Sequence, residues 1–376
     1  MNSSETPVVV FHHPGPVEAK GRTGSQVRPW QLLQAFREEG YEVLPVVGRG
    51  VERQQQIKVA KKVLRSGKKL SFVYSESRSI PTLLAESHRL PLFPTMDFRF
   101  LKSMREAGVP VGLFYRDVFW RFDMYRAMLS WPARMITVPL YQYDWWWYRR
   151  VVDHLFLPSV AMSAHLATAW PKDNISALPP GTHLPGIAAI PESIRQPESL
   201  QLLYVGGVHP PAYDLVPLLR AVGETPRVKL ALCCRPEEWA TVRSYYADWI
   251  NDRVEVVHRT GDDLRGLYAR ADLFALLRQP HEYLDFAVPV KLFESVGYGL
   301  PIVTLEGTEA ARMVEQHGLG WVVPDTDSVA PLLQRLQEAP ELLAQKRAAV
   351  AQARAQHTWG ARVREIVRQL GRYDRR

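Results

Sequence analysis

Pro289-Val-Lys-Leu-Phe-Glu-Ser-Val-Gly-Tyr-Gly-Leu-Pro-Ile-Val-Thr-Leu-Glu-Gly307 opens with a proline, which suits the first turn of a helix. Val290, Phe293 and Val296 follow at helical spacing, and Gly297 and Gly299 end the pattern. The run up to Leu305, bounded by Pro301 and Gly307, is apolar and β-branched, the composition of a strand covered on both faces of a parallel sheet. Helix, glycine turn, strand and glycine-containing loop in that order predict a doubly wound α/β sheet, whose ligands sit beyond the carboxyl ends of its strands. Lys291 and Glu294 share one helical face near the helix N-terminus, where backbone N–H groups and the dipole favour an anion. A cation for phosphate beside a carboxylate for paired hydroxyls suits a nucleotide sugar. Taken alone, the two residues are equally an ordinary solvated pair worth roughly 0.2–0.5 kcal/mol.

The same segment resembles the family-4 type of GT-B glycosyltransferases, whose carboxyl-terminal domains carry Pro-x-Lys-x-x-Glu followed by Gly-x-Pro-(Val/Ile)-(Val/Ile). The resemblance implies two Rossmann-like α/β domains facing across a cleft, with a final helix crossing back onto the first. It implies transfer of a hexose from a nucleotide-sugar donor, with retention, without metal or other cofactor, and a ribose-binding role for Glu294. It spans nearly the whole chain and is most specific over residues 268–325. In the family a glycine loop after the first strand packs near donor phosphates and acceptor, which makes Gly24, and after it Gly21, candidates here.

Two departures stand out. Many members grip the diphosphate with an arginine directly after the first glycine of the loop matching residues 206–211 and a lysine about five residues later. Here Gly207 and Ala212 or Tyr213 occupy those places, so the grip is assigned to Arg235, Lys291 and the N–H groups of Gly206 and Gly207. Relatives also carry a second glutamate eight residues before the ribose-binding one. That position is Phe286, leaving Glu282, or the nearer Asp285, as the substitute.

At 376 residues and 46% hydrophobic content the chain can bury two cores. The only cysteines, Cys233 and Cys234, are adjacent, which gives neither a disulfide framework nor metal-ligand spacing and predicts a reduced, cytoplasmic setting. Residues 1–16 lack the basic and apolar parts of a secretory signal, and no apolar run approaches the ~20 residues of a membrane span. The net charge of +8 points to an anionic partner: nucleic acid, lipid headgroups or a phosphorylated substrate.

Working outward, residues 1–183 read as an acceptor-binding domain, 184–199 as a proline-rich linker, 200–357 as the nucleotide-sugar domain and 358–376 as the returning helix. In the first domain a strand at 8–11, glycines 15, 21 and 24, a helix at 29–39 and a strand at 41–47 form one βαβ unit. Residues 51–70 form an amphipathic helix with Ile57, Ala60, Val63 and Leu64 on one face and Lys58, Lys61, Lys62 and Arg65 off it, suited to an anionic membrane or to an ordinary solvated face. A strand at 70–74 ends in the polar cluster 75–79, and one at 109–114 ends in Tyr115-Arg116-Asp117. There a paired Arg116 and Asp117 could hold hydroxyls or supply a base, or Asp117 could cap the following turn with Arg116 paired to it. The run Tyr141-Gln-Tyr-Asp-Trp-Trp-Trp-Tyr-Arg-Arg150 suits a membrane interface or a stacking platform, with Tyr141, Trp145 and Tyr148 on one face as core. In the second domain Thr308 caps a helix whose N–H groups could face the donor.

The expected function is transfer of a hexose to a lipid-linked or cell-surface glycan by a cytoplasmic enzyme peripheral on the inner face of the cell membrane. An inverting route would need Asp117 or Asp97 as base. Two rivals are a sugar-nucleotide epimerase of the same fold, and a non-catalytic basic scaffold on a membrane or nucleic acid; nucleic acid is the less expected partner.

Overall fold

The computed structural model describes residues 6–19, 21, 24–86, 92–184, 199–211 and 213–373; the expected linker lies almost wholly outside them, as does Ala212. The chain divides into two compact units, Met1–Pro180 with Trp359–Arg376, and Gly181–Thr358.

The first unit runs β1 (Val8–His12), α1 (Gly24–Glu38), β2 (Glu42–Val46), α2 (Gly50–Arg65), β3 (Leu70–Glu76), α3 (Met96–Glu106), β4 (Val111–Phe114), α4 (Asp123–Met128), α5 (Trp131–Val151), β5 (His154–Leu157) and β6 (Ile175–Ala177). All its strands are parallel, in the order β2-β1-β3-β4-β5-β6. Strands β1, β4 and β5 are buried along their whole length, so their sequences are apolar without alternation apart from His12 at the end of β1 and His154 at the start of β5. Strand β3 runs two residues past the apolar stretch and carries Ser75 and Glu76 into the interior. Helix α1 begins at Gly24, earlier than its proline suggests. Helix α2 turns Ile57 and Ala60 inward and packs on β2, so its apolar face is consumed by its own sheet while Lys58 and Lys62 stay exposed.

The second unit runs β7 (Leu200–Val205), α6 (Val216–Glu224), β8 (Val228–Cys233), α7 (Pro236–Val242), β9 (Val254–Val257), α8 (Arg265–Arg270), β10 (Leu273–Leu276), α9 (Val290–Gly297), β11 (Ile302–Leu305), α10 (Glu309–Gln316), β12 (Gly320–Val323), α11 (Val329–Glu338) and α12 (Pro340–Ala353). Its parallel order is β12-β11-β10-β7-β8-β9, with one apolar cluster on each side of the sheet. Helix α13 (Trp359–Leu370) then returns to the first unit, where Trp359, Val363, Ile366 and Leu370 join the core around α1. A side chain at Gly112 of β4 would come within 2.9 Å of the Leu370 methyls, so glycine is what lets α13 lie so close to the sheet.

Strand order reverses between β1 and β3 in one unit and between β7 and β10 in the other. Such switch points are where doubly wound sheets leave a crevice beyond their carboxyl ends.

Candidate active site

Helix α9 is built as its sequence reads. Pro289 is the N-cap, Leu292, Phe293 and Val296 face the core, and Gly299, at φ 74°, supplies the left-handed turn into β11. The Lys291 ammonium lies 2.5 Å from Glu294 Oε2, and the two side chains are only about a third exposed, at 32% and 27%. The buried Tyr268 hydroxyl donates to the same oxygen at 3.2 Å. The Tyr268 ring stacks on Tyr298 at 4.4 Å, so the carboxylate is held by a hydroxyl that cannot swing away. Burial, and then the Glu294 charge, push the Tyr268 hydroxyl pKa well up, which keeps it a donor. Burial likewise raises the Cys233 thiol at the end of β8, with the Lys291 charge working against it; α9 therefore sets its polar flank near the carboxyl ends of the strands.

At the β7/β10 switch point the loops leaving both strands meet. The Arg278 guanidinium lies 4.7 Å from the centre of the Tyr213 ring, and Tyr213 packs against Gly207, where an added Cβ would stand 3.1 Å from the ring. Arg278 also lines a hollow with Leu276, Pro289, Thr304 and Thr308. Pro289 and Thr308 are the N-caps of α9 and α10, so two helix N-termini open onto that hollow. Thr308 Oγ1 accepts from the Ala311 N–H at 3.1 Å, which leaves the N–H groups before it for a ligand. Arg278 Nε is buried with no hydrogen-bond partner among the described residues. A guanidinium beside two helix N-termini makes this end of the sheet electropositive. Nothing local marks Arg278 in the sequence except its position two residues beyond a buried strand.

The groups assigned to the diphosphate from the sequence do not all assemble there. The Gly206 N–H is spent on the Cys233 carbonyl at 3.1 Å, because the β7/β8 ladder continues one residue past the strand. The Gly207 carbonyl accepts from Tyr204 at 2.5 Å. Arg235 is the N-cap of α7, half exposed, and pairs with Glu238 one turn on. Glu282 is exposed on the short turn Glu282–Asp285, and Phe286 is buried as an apolar residue. Lys291, Glu294 and Thr308 stand where the sequence places them, on the first turns of α9 and at the cap of α10.

In the first unit the carboxyl ends of β1, β3 and β4 carry two buried polar networks. Glu76, with no exposed surface, accepts from Arg28 Nε at 3.1 Å, Arg116 Nη2 at 3.0 Å and the Tyr74 hydroxyl at 2.9 Å. Arg28 also lies 3.6 Å above the Phe114 ring. Arg116 therefore pairs with Glu76, while its neighbour Asp117 accepts from the Phe119 N–H at 2.8 Å and caps a turn. Burial lowers the Arg116 pKa, with Glu76 opposing the fall and Arg28 adding to it. In the second network His12 bridges Ser75 at 2.8 Å and Asp97 at 3.0 Å, and Arg53 grips Asp97 with Nε and Nη2 at 2.9 and 3.1 Å. Burial raises the Asp97 pKa, but His12 and Arg53 outweigh it and bring it down to about 2, so this carboxylate is locked and a poor base.

Three groups border the β1/β3 switch point. Burial drives His13 down to about 3, leaving it neutral. Arg78 packs against Gly15 and donates to the Ala85 carbonyl at 2.8 Å. Gly24 is the first residue of α1, half-buried.

Residues 199–339 match the family model of glycosyl transferases group 1. Among solved structures, HepE from Anabaena in complex with UDP-glucose is 14% identical with a TM-score of 0.59, over 97% of this chain and 99% of that one. A glycosyltransferase from Rickettsia africae is 10% identical with a TM-score of 0.66, over 99% and 100%. WaaG, a glycosyltransferase involved in lipopolysaccharide biosynthesis, is 15% identical with a TM-score of 0.55, over 96% and 99%. No curated protein matches the chain by sequence. Two parallel-sheet Rossmann-like units of this kind are the GT-B fold. The likeness to group 1 glycosyl transferases thus lies in the second unit, and over the whole chain the likeness to the solved structures is one of fold.

Proposed function

We propose that this glycosyltransferase moves a hexose from a nucleotide sugar, with a UDP-sugar as first candidate, to a lipid-linked or cell-surface glycan. It acts with retention and without a metal ion, as a cytoplasmic enzyme peripheral on the inner face of the cell membrane. The observation that carries the donor half is Arg278 with its free Nε beside the N-termini of α9 and α10. These groups take the diphosphate and supply the positive charge that a divalent cation supplies elsewhere. Glu294, oriented by Tyr268 and Lys291, accepts the ribose hydroxyls. Negative charge grows on the diphosphate as the sugar leaves, and fixed donors already aimed at it need no reorganisation. In the retaining route a donor phosphate oxygen takes the acceptor's proton, which asks no base of Asp117 or Asp97. Binding of UDP-glucose by HepE supports the choice of donor, and the lipopolysaccharide role of WaaG supports the acceptor class.

A thermal-shift comparison of UDP-, GDP- and ADP-sugars tests the donor. One of them should stabilise the protein, by about 2.7 kcal/mol at a hundred times its Kd. Glu294→Ala should lose the shift; a mutant that responds like the parent removes the ribose assignment. Turnover unchanged by a chelator, and an anomeric configuration in the product equal to the donor's, test the remaining terms.

A further inference from the structure

Helix α5 buries one face through Tyr141, Asp144, Trp145 and Tyr148 and leaves the other bare. Trp131, Met135, Pro139, Gln142 and Trp146 recur at helical spacing along that bare face, and Arg149 and Arg150 continue it. Trp131 is 66% exposed and Met135 58%; with Met128 at 69% and Ile136 at 61% they make an apolar corner where α4 meets α5. Soluble surfaces carry single exposed apolar residues, not four large ones within nine positions. The corner is firmly built. The Tyr125 hydroxyl donates to Thr137 at 2.6 Å, and Trp120 stacks on Tyr141 at 5.2 Å.

Its charge is one-sided. Residues 124–143 contain no Asp or Glu but include Arg126 and Arg134. Arg126 has an exposed partner in Asp123, at 3.0 Å. The Arg150 guanidinium lies 3.7 Å above the Trp146 ring, a pairing that suits the boundary between headgroup and acyl chain.

We propose that this face is a docking surface for an anionic lipid bilayer: Met128, Trp131, Met135 and Ile136 enter the interface while Arg126, Arg134, Arg149 and Arg150 meet lipid phosphates. The inference rests on the peripheral-membrane reading above; of the two segments that the sequence offered for it, α2 spends its apolar face on β2, and the contact falls to α5 and its corner with α4.

The test is sedimentation of the full chain with vesicles of phosphatidylcholine, with and without phosphatidylglycerol. The parent should pellet with the anionic vesicles. A W131S/M135S/I136S variant should bind them about tenfold or more weakly, and an R149S/R150S variant should lose much of its preference for anionic lipid. Both should keep the parent's melting temperature and its shift with the donor, which shows an intact fold. Vesicle binding untouched by the triple substitution, or abolished only by reversing Lys58 and Lys62, overturns the proposal. So does a concentration-dependent dimer of the parent that the triple substitution dissolves, which would give the face to a second copy of the chain. A donor shift without vesicle binding removes this surface and leaves the transferase reading standing; vesicle binding without any donor shift does the reverse.

Discussion

The two units wind their sheets the same way and place polar residues at the same carboxyl ends, yet they use them oppositely. In the first unit Glu76, Asp97, His12, Arg28 and Arg53 are buried and joined in two networks, although the two Nη atoms of Arg28 lack a hydrogen-bond partner among the described residues. In the second, Lys291 and Glu294 are part exposed, Arg278 has an unused donor and two helix N-termini face a hollow. Ions paired inside a protein fix loops in place, because breaking the pair strands a charge away from water. Half-solvated ions beside free N–H groups are free to exchange water for a ligand. The first unit's charges are thus a frame, and on the proposed reading the second unit's charges are a receptor.

The sharpest way to break this contrast is Glu76→Ala. Removing the one carboxylate between Arg28 and Arg116 should cost about 3–5 kcal/mol in denaturant unfolding of the first unit, while any donor shift from the second persists. If stability barely moves, the network is not a frame.

Asp144 offers a pH-resolved version. Burial raises its pKa to about 7, against hydrogen bonds from Thr82, and its Oδ1 has no partner among the described residues. A pKa raised on folding means that this group's contribution to stability is complete below about pH 4 and lost as pH rises through 7. Asp144→Asn should gain on the parent over that window, by up to about 4 kcal/mol. Asp97, depressed to about 2, predicts the opposite slope at the acid end, with stability lost as pH falls below its unfolded value near 4. Stability curves of parent and variant that run parallel from pH 4 to 8 would show that Asp144 titrates normally.

In the second unit, Arg278→Ala should lower kcat/KM about 100-fold with the melting temperature unchanged, and Arg278→Lys should recover part of the loss. Glu294→Gln should weaken donor binding about tenfold, read by titration calorimetry. Tyr268→Phe removes one hydrogen bond to Glu294 and keeps the stack on Tyr298, so donor affinity should fall only about three- to fivefold.

The layout of both sheets could be read from the chain because fully covered parallel strands are mostly apolar along their length, as in β1, β5 and β11, each with a single buried polar residue. Lys291 and Glu294 were equally legible, since three-residue spacing on a helix puts both on one face. Arg116 and Asp117 misled because each finds a partner of its own, Arg116 a glutamate forty positions away in sequence and Asp117 the N–H of Phe119. Gly206 misled because a ladder's last hydrogen bond depends on the neighbouring strand, which the loop sequence does not encode. Glu76 could be read only as part of the polar cluster 75–79, and Arg278 was silent, because their surroundings are assembled from several loops.

Helix α13 bears on the order in which a nascent chain takes shape. Residues 181–358 are contiguous and can close their own interior as soon as they leave the ribosome, but the earlier-made unit lacks Trp359, Val363, Ile366 and Leu370 until the final turns emerge. The portion translated first is therefore completed last. Its apolar seam around α1 is the surface a chaperone would meet during that delay, and a stop codon shortly after His357 would damage the end of the molecule farthest away in sequence.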